Sequence, residues 1–381
     1  MSAGIYLHIP FCKSRCSYCD FATDVFKNEE TVERYVSALI KEIENFESEA
    51  RALANVRASA AVDTIYFGGG TPSLLALQQL EKILNSIYKK FSLMENIELT
   101  MEMNPATVTS ETLKSYKSLG VNRASFGAQT FDDAELKRLG RRHSASDVRE
   151  TIELLRGAGF DNVSFDLIAG LPRQTLKDWE RNLDEALKLN PEHLSLYLLE
   201  IHEGTPLAEQ IRSHRQPLPD EDLAGEMYEL ITRETCRKGY EQYEISNFSL
   251  SGYASKHNSK YWLCEPVYAF GVSAHSFDGN ARYANKRDTA KYVGLIEAND
   301  SAEVFREQTN LASEFIFLGL RLSKGINLNE YEKRFGINIK EKYAEDLQRL
   351  EELGLIEFVE NRLKLTRKGM VYSNEVFTVF V

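Results

Sequence analysis

At 381 residues the chain is long enough to bury a large core and to divide into two or three domains. A formal net charge of −11 at pH 7 argues against a nucleic-acid backbone or an extended anionic membrane as partner, since both select clustered Lys and Arg. Of the five cysteines three are clustered, and Cys236 and Cys264 lie far apart, so a disulfide framework is not expected. The opening Met1-Ser-Ala-Gly lacks the basic segment of a signal peptide, and no apolar run approaches the roughly 18 residues of a bilayer span. A cytoplasmic protein without an integral membrane segment is expected.

The apolar run Gly4-Ile-Tyr-Leu-His-Ile-Pro10 reads as a first strand, and the loop leaving it carries Cys12, Cys16 and Cys19. Three thiols so close together are a metal or cluster address. Structural zinc usually takes two separated cysteine pairs, and no second pair follows, although His8 would complete a zinc site with the three thiolates. An iron–sulfur cubane fits better. Held by three cysteines, it keeps one iron open to a small chelating molecule.

Further along, Glu30 to about Arg51 has the apolar spacing of an amphipathic helix. The strand Thr64-Ile-Tyr-Phe67 then runs into Gly68-Gly-Gly-Thr-Pro72, and a helix follows from Ser73 to Lys90. The rhythm repeats. Strands over Ile97–Met103, Arg123–Phe126 and Val163–Ile168 precede helices after Thr109, near Asp132 to Leu139 and after Thr175, and Leu194–Leu198 makes a sixth strand. Such alternation predicts an α/β fold, a parallel sheet curled into a whole or partial barrel, with ligands at the carboxyl ends of the strands.

Another amphipathic helix spans about Asp220 to Gly239. Beyond it, Tyr240 to Asn285 reads as short strands and loops closing over one side of the sheet. From about Asn310 to Val381, three helices (Ala312–Leu322, Leu328–Phe335, Ile339–Leu353) and two short strands (Ile356–Val359, Arg362–Thr366) suggest a winged-helix shape. Residues 311–381 hold eleven Lys and Arg against eleven Asp and Glu, so DNA binding is not expected of this module. The division expected is 1–235 core, 236–309 accessory segment and 310–381 C-terminal module.

Several polar residues fall at strand ends. Gly68-Gly69-Gly70-Thr71-Pro72 is neither a P-loop nor a dinucleotide fingerprint. Its glycines suit either a tight turn or a backbone edge that a ligand approaches closely. Glu102, Gln129, Arg141 and Asp166 are costly to bury unless they line a polar cleft, where acid, amide and guanidinium can hold ribose hydroxyls, an ammonium and a carboxylate. The alternative for Glu102 is a solvated strand-end acid. In His257-Asn-Ser-Lys-Tyr-Trp262, His257 can be a haem-iron ligand beside a flat aromatic pair or a hydrogen-bonded filler of the core, with Cys264 and His275 as other ligand candidates.

The spacing Cys-x3-Cys-x2-Cys resembles the radical S-adenosylmethionine (SAM) superfamily, in which the amino and carboxylate groups of SAM occupy the fourth iron. Together with Tyr6-Leu-His-Ile-Pro-Phe-Cys12, Tyr18-Cys19-Asp20-Phe21, Gly68-Gly-Gly-Thr-Pro72, Asp166-Leu-Ile-Ala-Gly-Leu-Pro172 and His257-Asn-Ser-Lys-Tyr-Trp262, it resembles the oxygen-independent coproporphyrinogen III oxidase family over nearly the whole chain. Oxidases of that family carry a further cysteine where Phe21 stands and an N-terminal extension, so the likeness is to its haem-chaperone branch, the HemW type. The resemblance implies a partial (β/α)6 barrel and a [4Fe-4S] cluster on Cys12, Cys16 and Cys19. It implies SAM on Tyr6, Gly69, Gly70, Thr71 and Glu102, with Tyr18 also in a cofactor-binding role. Gln129, Arg141 and Asp166 would line the same cleft, where the oxidases hold a second SAM that a chaperone does not need. Haem would contact His257 and pass to an unidentified acceptor, a respiratory haem protein being one candidate, and coproporphyrinogen oxidation is not expected.

Overall fold

The computed structural model of the chain describes residues 2–46 and 61–381. The chain opens with β1 (Ala3–Ile9), and the cysteine loop carries two short strands, β2 (Phe11–Cys12) and β3 (Asp24–Val25), paired with each other. Then come β4 (Val62–Gly69), β5 (Leu93–Met103), β6 (Arg123–Gln129), β7 (Val163–Ala169) and β8 (His193–Leu198). With β1 they make six parallel strands side by side in chain order. Helices Glu29–Asn45, Leu77–Lys90, Ser110–Ser118, Ala145–Gly157 and Leu176–Lys188 lie between them. Asn28, Thr109, Ser144 and Thr175 cap four of these helices, each accepting a backbone N–H three residues on. The helix Ala145–Gly157 was not anticipated. Its signal is the reciprocal cap between Ser144 and Asp147, which precedes the apolar positions Val148, Ile152 and Leu155. The part of the first helix expected beyond Phe46 falls outside the described residues.

Alternation along the strands sorts the side chains. Ile5, Leu7, Ile65, Phe67, Leu99, Met101, Ala124, Phe126, Phe165, Leu167 and Leu194 point outward into one large apolar core beneath the helices. The register places Tyr6, His8, Thr64, Tyr66, Thr100, Glu102, Arg123, Ser125, Ser164, Asp166 and Ser195 together on the opposite face. That inner face is polar at nearly every position. Parallel strands covered on both sides are ordinarily apolar on both, so the departure marks a lined cleft.

Tyr240 to Asn285 forms short strands, as expected, but these extend the sheet at both ends in place of closing over one side of it. β9 (Glu241–Gln242) and β10 (Asn247–Ser249) pair antiparallel beyond β8. β11 (Val267–Phe270) runs parallel beside β1, followed by β12 (His275–Phe277), β13 (Ala281–Asn285) and β14 (Glu303–Gln308) as an antiparallel meander, giving twelve strands in all among the described residues. The physical reason is that the edges of a six-stranded parallel sheet expose unpaired backbone groups, and these strands satisfy them. The C-terminal residues build a second apolar core around Ile316, Leu320, Tyr331, Leu347, Leu350, Leu363 and Phe380. Its helices Leu311–Gly319, Leu328–Phe335, Ile339–Lys342 and Ala344–Glu352 lie beside a three-stranded sheet of β15 (Ile326–Asn327), β16 (Ile356–Val359) and β17 (Arg362–Leu365).

The end of β1 and the glycine loop after β4 are stitched together backbone to backbone. Gly70 N–H donates to the Ile9 carbonyl and Thr71 N–H to the Phe11 carbonyl, both at 2.8 Å. A Cβ on Gly70 would stand 2.8 Å from the Pro10 and Phe11 carbonyl oxygens, and neither backbone can move alone. Gly70→Ala is therefore expected to cost about 1–3 kcal/mol in denaturant unfolding and to lower the iron bound per chain after anaerobic reconstitution.

Candidate cluster and cofactor site

Cys12, Cys16 and Cys19 are half-buried at the carboxyl end of the barrel. Their loop is held on several sides. Phe26 N–H donates to the Cys12 carbonyl, Ser17 N–H to the Leu139 carbonyl, and Leu207 N–H to the Ser17 carbonyl. Burial pushes the Cys12 thiol up to about 11, with the neighbouring Cys16 and Cys19 adding to it, and raises Cys19 for the same reason. Burial thus disfavours the thiolate of Cys12 and of Cys19, and a bound metal would favour it.

The choice between zinc and a cubane is decided by the donor set. His8, the fourth ligand a zinc site would need, has both ring nitrogens engaged: Nε2 meets the Ala22 carbonyl at 2.8 Å and Nδ1 meets the Tyr6 hydroxyl at 3.2 Å. No three His, Cys, Asp or Glu side chains among the described residues converge as ligands of a single ion would. The sulfurs are nonetheless close enough to perturb one another, as donors to three different corners of one cluster must be. The residues present fit a [4Fe-4S] cluster.

Beside the cysteines, the glycine loop donates its amides inward. Gly69, at φ 108°, gives its N–H to Glu102 Oε2 at 3.1 Å, while Gly70 bonds Ile9 at the end of β1 and Thr71 bonds Phe11 of the cysteine loop. With these three amides engaged, the loop's carbonyl oxygens can accept N–H bonds from a ligand. Glu102 also accepts from the Tyr66 hydroxyl at 2.7 Å while part of its surface stays open to the cleft. Burial, then the charge of Asp166, raises its carboxyl to about 7. Asp166, raised by burial to about 6, faces the Ser195 hydroxyl and the guanidinium groups of Arg123 and Arg141.

Arg141 joins these parts. Its Nη1 donates to Cys16 Sγ at 3.5 Å and its Nη2 to Asn104 Oδ1 at 3.1 Å and to the Gly127 carbonyl, while its buried Nε has no partner among the described residues. Asn104 Nδ2 in turn donates to Thr71 Oγ1 at 2.7 Å, and Thr71 Oγ1 to Cys12 Sγ at 3.7 Å. Two cluster cysteines are therefore linked through Thr71, Asn104 and Arg141. Gln129, at φ 67°, lies beside Gly127, where a Cβ would collide with both its amide and Arg141. Tyr18 packs with Leu139, Ile168 and Leu171 near Arg141, and Tyr6 stacks at 6.0 Å on Tyr66. All the residues expected at the cluster and SAM site are thus gathered at one mouth. Asn104, Tyr66 and Arg123 were missed, although each is a polar or aromatic residue on the inner face by strand alternation.

His257 is placed elsewhere. Helix Lys256–Trp262 closes the opposite end of the barrel, and Glu98 accepts the N–H groups of Lys256 and His257. The His257 ring is 1% exposed, with Nδ1 at 2.8 Å from Thr64 Oγ1 and Nε2 at 3.3 Å from the Tyr261 hydroxyl. Tyr6 and Tyr66 stack on it, at 6.3 and 5.0 Å, from the side facing Glu102. Burial holds its imidazole down at about 3, so it is neutral. In this geometry both ring nitrogens have hydrogen-bond partners and the ring is enclosed by Thr64, Tyr66 and Tyr261. Trp262 instead lies under the Arg321 guanidinium, 4.3 Å from its ring, which ties the motif to the C-terminal module. Cys264 is buried, and His275 is exposed on β12.

A six-stranded parallel barrel with a three-cysteine loop at its carboxyl end defines a radical SAM protein. The model of the Radical SAM superfamily matches residues 6–186, and that of the HemN C-terminal domain residues 307–372. Over the full length the chain is similar to the Heme chaperone HemW of Bacillus subtilis, 37% identical over 99% of this chain and 98% of the relative, and to that of Lactococcus lactis, 36% identical over 99% and 96%. The chain belongs to the HemW family. A mouse protein named Radical S-adenosyl methionine domain-containing protein 1, mitochondrial, is 34% identical over 87% of this chain and 76% of its own length. The Escherichia coli coproporphyrinogen III oxidase HemN shares the fold, with a TM-score of 0.84, 22% identity, and coverage of 100% of this chain and 90% of that one. A radical SAM domain implies SAM and a [4Fe-4S] cluster.

His257→Ala removes two buried hydrogen bonds and opens a hole under Tyr66, so a loss of about 2–4 kcal/mol in unfolding free energy is expected. Haem affinity of the folded fraction should stay within about twofold of the parent. A variant that unfolds like the parent but no longer binds haem would reverse this assignment.

Proposed function

We propose that this protein is a haem chaperone that carries a SAM-ligated [4Fe-4S] cluster and passes haem to an acceptor protein. The observation that carries the reading is similarity along the whole chain to proteins named heme chaperones, and the gathering of three cysteines and a polar cleft at one end of the barrel supports it. Cys12, Cys16 and Cys19 hold the cluster. Glu102 and the glycine-loop carbonyls accept N–H bonds from the SAM amino group, Tyr6 and Tyr18 wall the pocket, and Thr71, through Cys12, positions the cluster beside it. Gln129, Arg141 and Asp166 line the adjoining cleft, where Arg141 offers a guanidinium to a carboxylate. SAM bound to the cluster supplies the means of making a radical on reduction. The working units are residues 1–235, 236–309 and 310–381, the last being the surface offered to the acceptor. Free thiols and a labile cluster suit a cytoplasmic setting. No helix among the described residues is long and apolar enough to cross a membrane.

A second reading, a radical SAM enzyme acting on a tetrapyrrole, is favoured by the carboxylates and guanidinium present in the cleft. Product analysis separates the two. Reduced protein with SAM is expected to leave coproporphyrinogen III intact, and decarboxylation would establish the enzyme.

On anaerobically reconstituted protein, a haem titration is expected to saturate near one haem per chain. Absence of a saturable Soret change would overturn the reading. The same preparation should contain iron and sulfide rather than zinc.

Glu102 and Asp166 also give a pH dependence with a defined sign. In the unfolded chain they ionise near their ordinary values of 4.5 and 3.8, whereas in the folded site they resist until about 7 and 6. The site without ligand therefore loses stability as pH rises from about 4 to 7, and a cationic ligand that donates N–H bonds offsets that loss by favouring the ionised form. SAM affinity of the cluster-loaded protein should rise roughly tenfold per pH unit between pH 5.5 and 7, and then level off. Calorimetry at fixed ionic strength measures this. Glu102→Gln should flatten the slope, and an equal slope in that variant would exclude Glu102 as the acceptor of the SAM amino group.

A further inference from the structure

With His257 enclosed, the haem iron needs another donor. Of the seven histidines, His8, His143, His193 and His257 are buried. Among the exposed ones, His202 faces the Glu200 carboxylate at 3.7 Å, and His214 has no aromatic ring contact among the described residues. His275 is different. It begins β12, and its Nδ1 lies 2.8 Å from the Ser273 carbonyl, a contact only an N–H can make. The neutral ring must therefore carry its proton on Nδ1, which leaves the lone pair on Nε2, and Nε2 has no partner among the described residues. A backbone carbonyl that fixes the tautomer is the usual outer support of a metal-ligating imidazole. Ser273, a non-glycine residue held at φ 56°, presents that carbonyl from the tight turn after Gly271.

The surroundings suit a flat, partly apolar macrocycle better than a bare ion. The Phe305 ring, exposed on β14, lies 6.1 Å from the imidazole at 55°. The two border a cavity of about 430 Å³ that is also lined by Arg282, Thr309, Asn310 and Glu314, within the ordinary range for cofactor sites of about 300–1,000 Å³. No second acid or thiol converges with His275 to complete a mononuclear ion site among the described residues. The register sets Arg282 level with Gly4 at the start of β1, so the cavity runs from His275 and Phe305 toward the amino end of the strands, while the turn before His275 touches the end of β1. Gly271 packs so tightly on the end of β1 that a Cβ there would stand 2.7 Å from the His8 carbonyl, and His8 feels the charge of His275. Arg287, just past β13, pairs with Asp20 of the cysteine loop at 2.9 Å.

We propose that His275 Nε2 is an axial ligand of haem iron, with Phe305 against the porphyrin, on the sheet extension β12 to β14 beside the cluster loop. This rests on the haem-chaperone reading and places its cargo on this chain. The test uses full-length, anaerobically reconstituted protein titrated with haem and followed by Soret absorption and electron paramagnetic resonance. The parent should show an imidazole-ligated iron. His275→Ala, an exposed position that leaves the fold intact, should weaken haem binding by at least about tenfold and lose that signature, and added imidazole should restore it. Phe305→Ala should weaken binding while keeping the signature. If His275→Ala binds haem with unchanged affinity and spectrum, the ligand lies elsewhere and only this assignment falls. If the parent itself shows no saturable binding, the haem-chaperone reading falls with it.

Discussion

The structure depends on how a row of polar side chains is kept inside a parallel sheet. Tyr6, Thr64, Tyr66, Thr100, Glu102, Arg123, Ser125, Ser164, Asp166 and Ser195 face inward, where unpaired polar groups are expensive. Part of that cost is met by mutual pairing and by holding few formal charges, while Thr100 Oγ1 and Arg123 Nε have no partner among the described residues. His257 and His193 are pushed down and stay neutral, with His193 bridging Ser164 and Tyr243 at 2.8 Å on each side. Glu102 and Asp166 are raised toward neutrality and share the field of Arg123, which is 1% exposed. A barrel balanced in this way is poised to accept a ligand that brings its own positive charge and hydrogen-bond donors.

This balance also explains why the two ends of the barrel differ. At the amino end of the strands the polar row is sealed from within the chain, by helix Lys256–Trp262. Its first amides fall on Glu98, and buried Lys260 pairs with Asp63 at 2.8 Å and Glu265 at 2.9 Å. At the carboxyl end no such plug exists among the described residues. The row terminates in Glu102, Gln129, Arg141 and Asp166, each partly open to the cleft apart from buried Gln129. Chemistry is therefore confined to one mouth by the same motif that sequence reading linked to haem.

Much of this was legible in the chain itself. Strand-helix alternation, the six core strands and the three-cysteine loop follow from local patterns, because apolar periodicity and turn residues are properties of neighbours in sequence. The inner-face residues were legible only in part. Glu102 and Asp166 stood out as acids within apolar runs, but Asn104 and Arg123 acquire meaning only once register sets them opposite Thr71 and Thr100. The role of His257 could not be read locally. Whether a histidine beside Tyr261 and Trp262 faces a macrocycle or a threonine is decided by Thr64, nearly two hundred positions away. The edge strands escaped for a related reason: β9 to β12 are two to four residues long and have no periodicity of their own.

The link from Cys12 through Thr71 and Asn104 to Arg141 and Cys16 shows why glycines and cysteines, so far apart in sequence, act as one unit. Gly70 must lack a side chain so that Thr71 can bond the Phe11 carbonyl and still reach Cys12. Gly127 must lack one so that Arg141 can reach Cys16 past the curled Gln129. Both absences serve the positions of two sulfurs. The cleft polar groups hang from the same two bridges, since Asn104 and Arg141 belong to both, so ordering of the cysteine loop and shaping of the cofactor pocket are a single packing problem. A chain that solves it with backbone contacts on one side and one shared guanidinium on the other has little freedom to vary either without losing both.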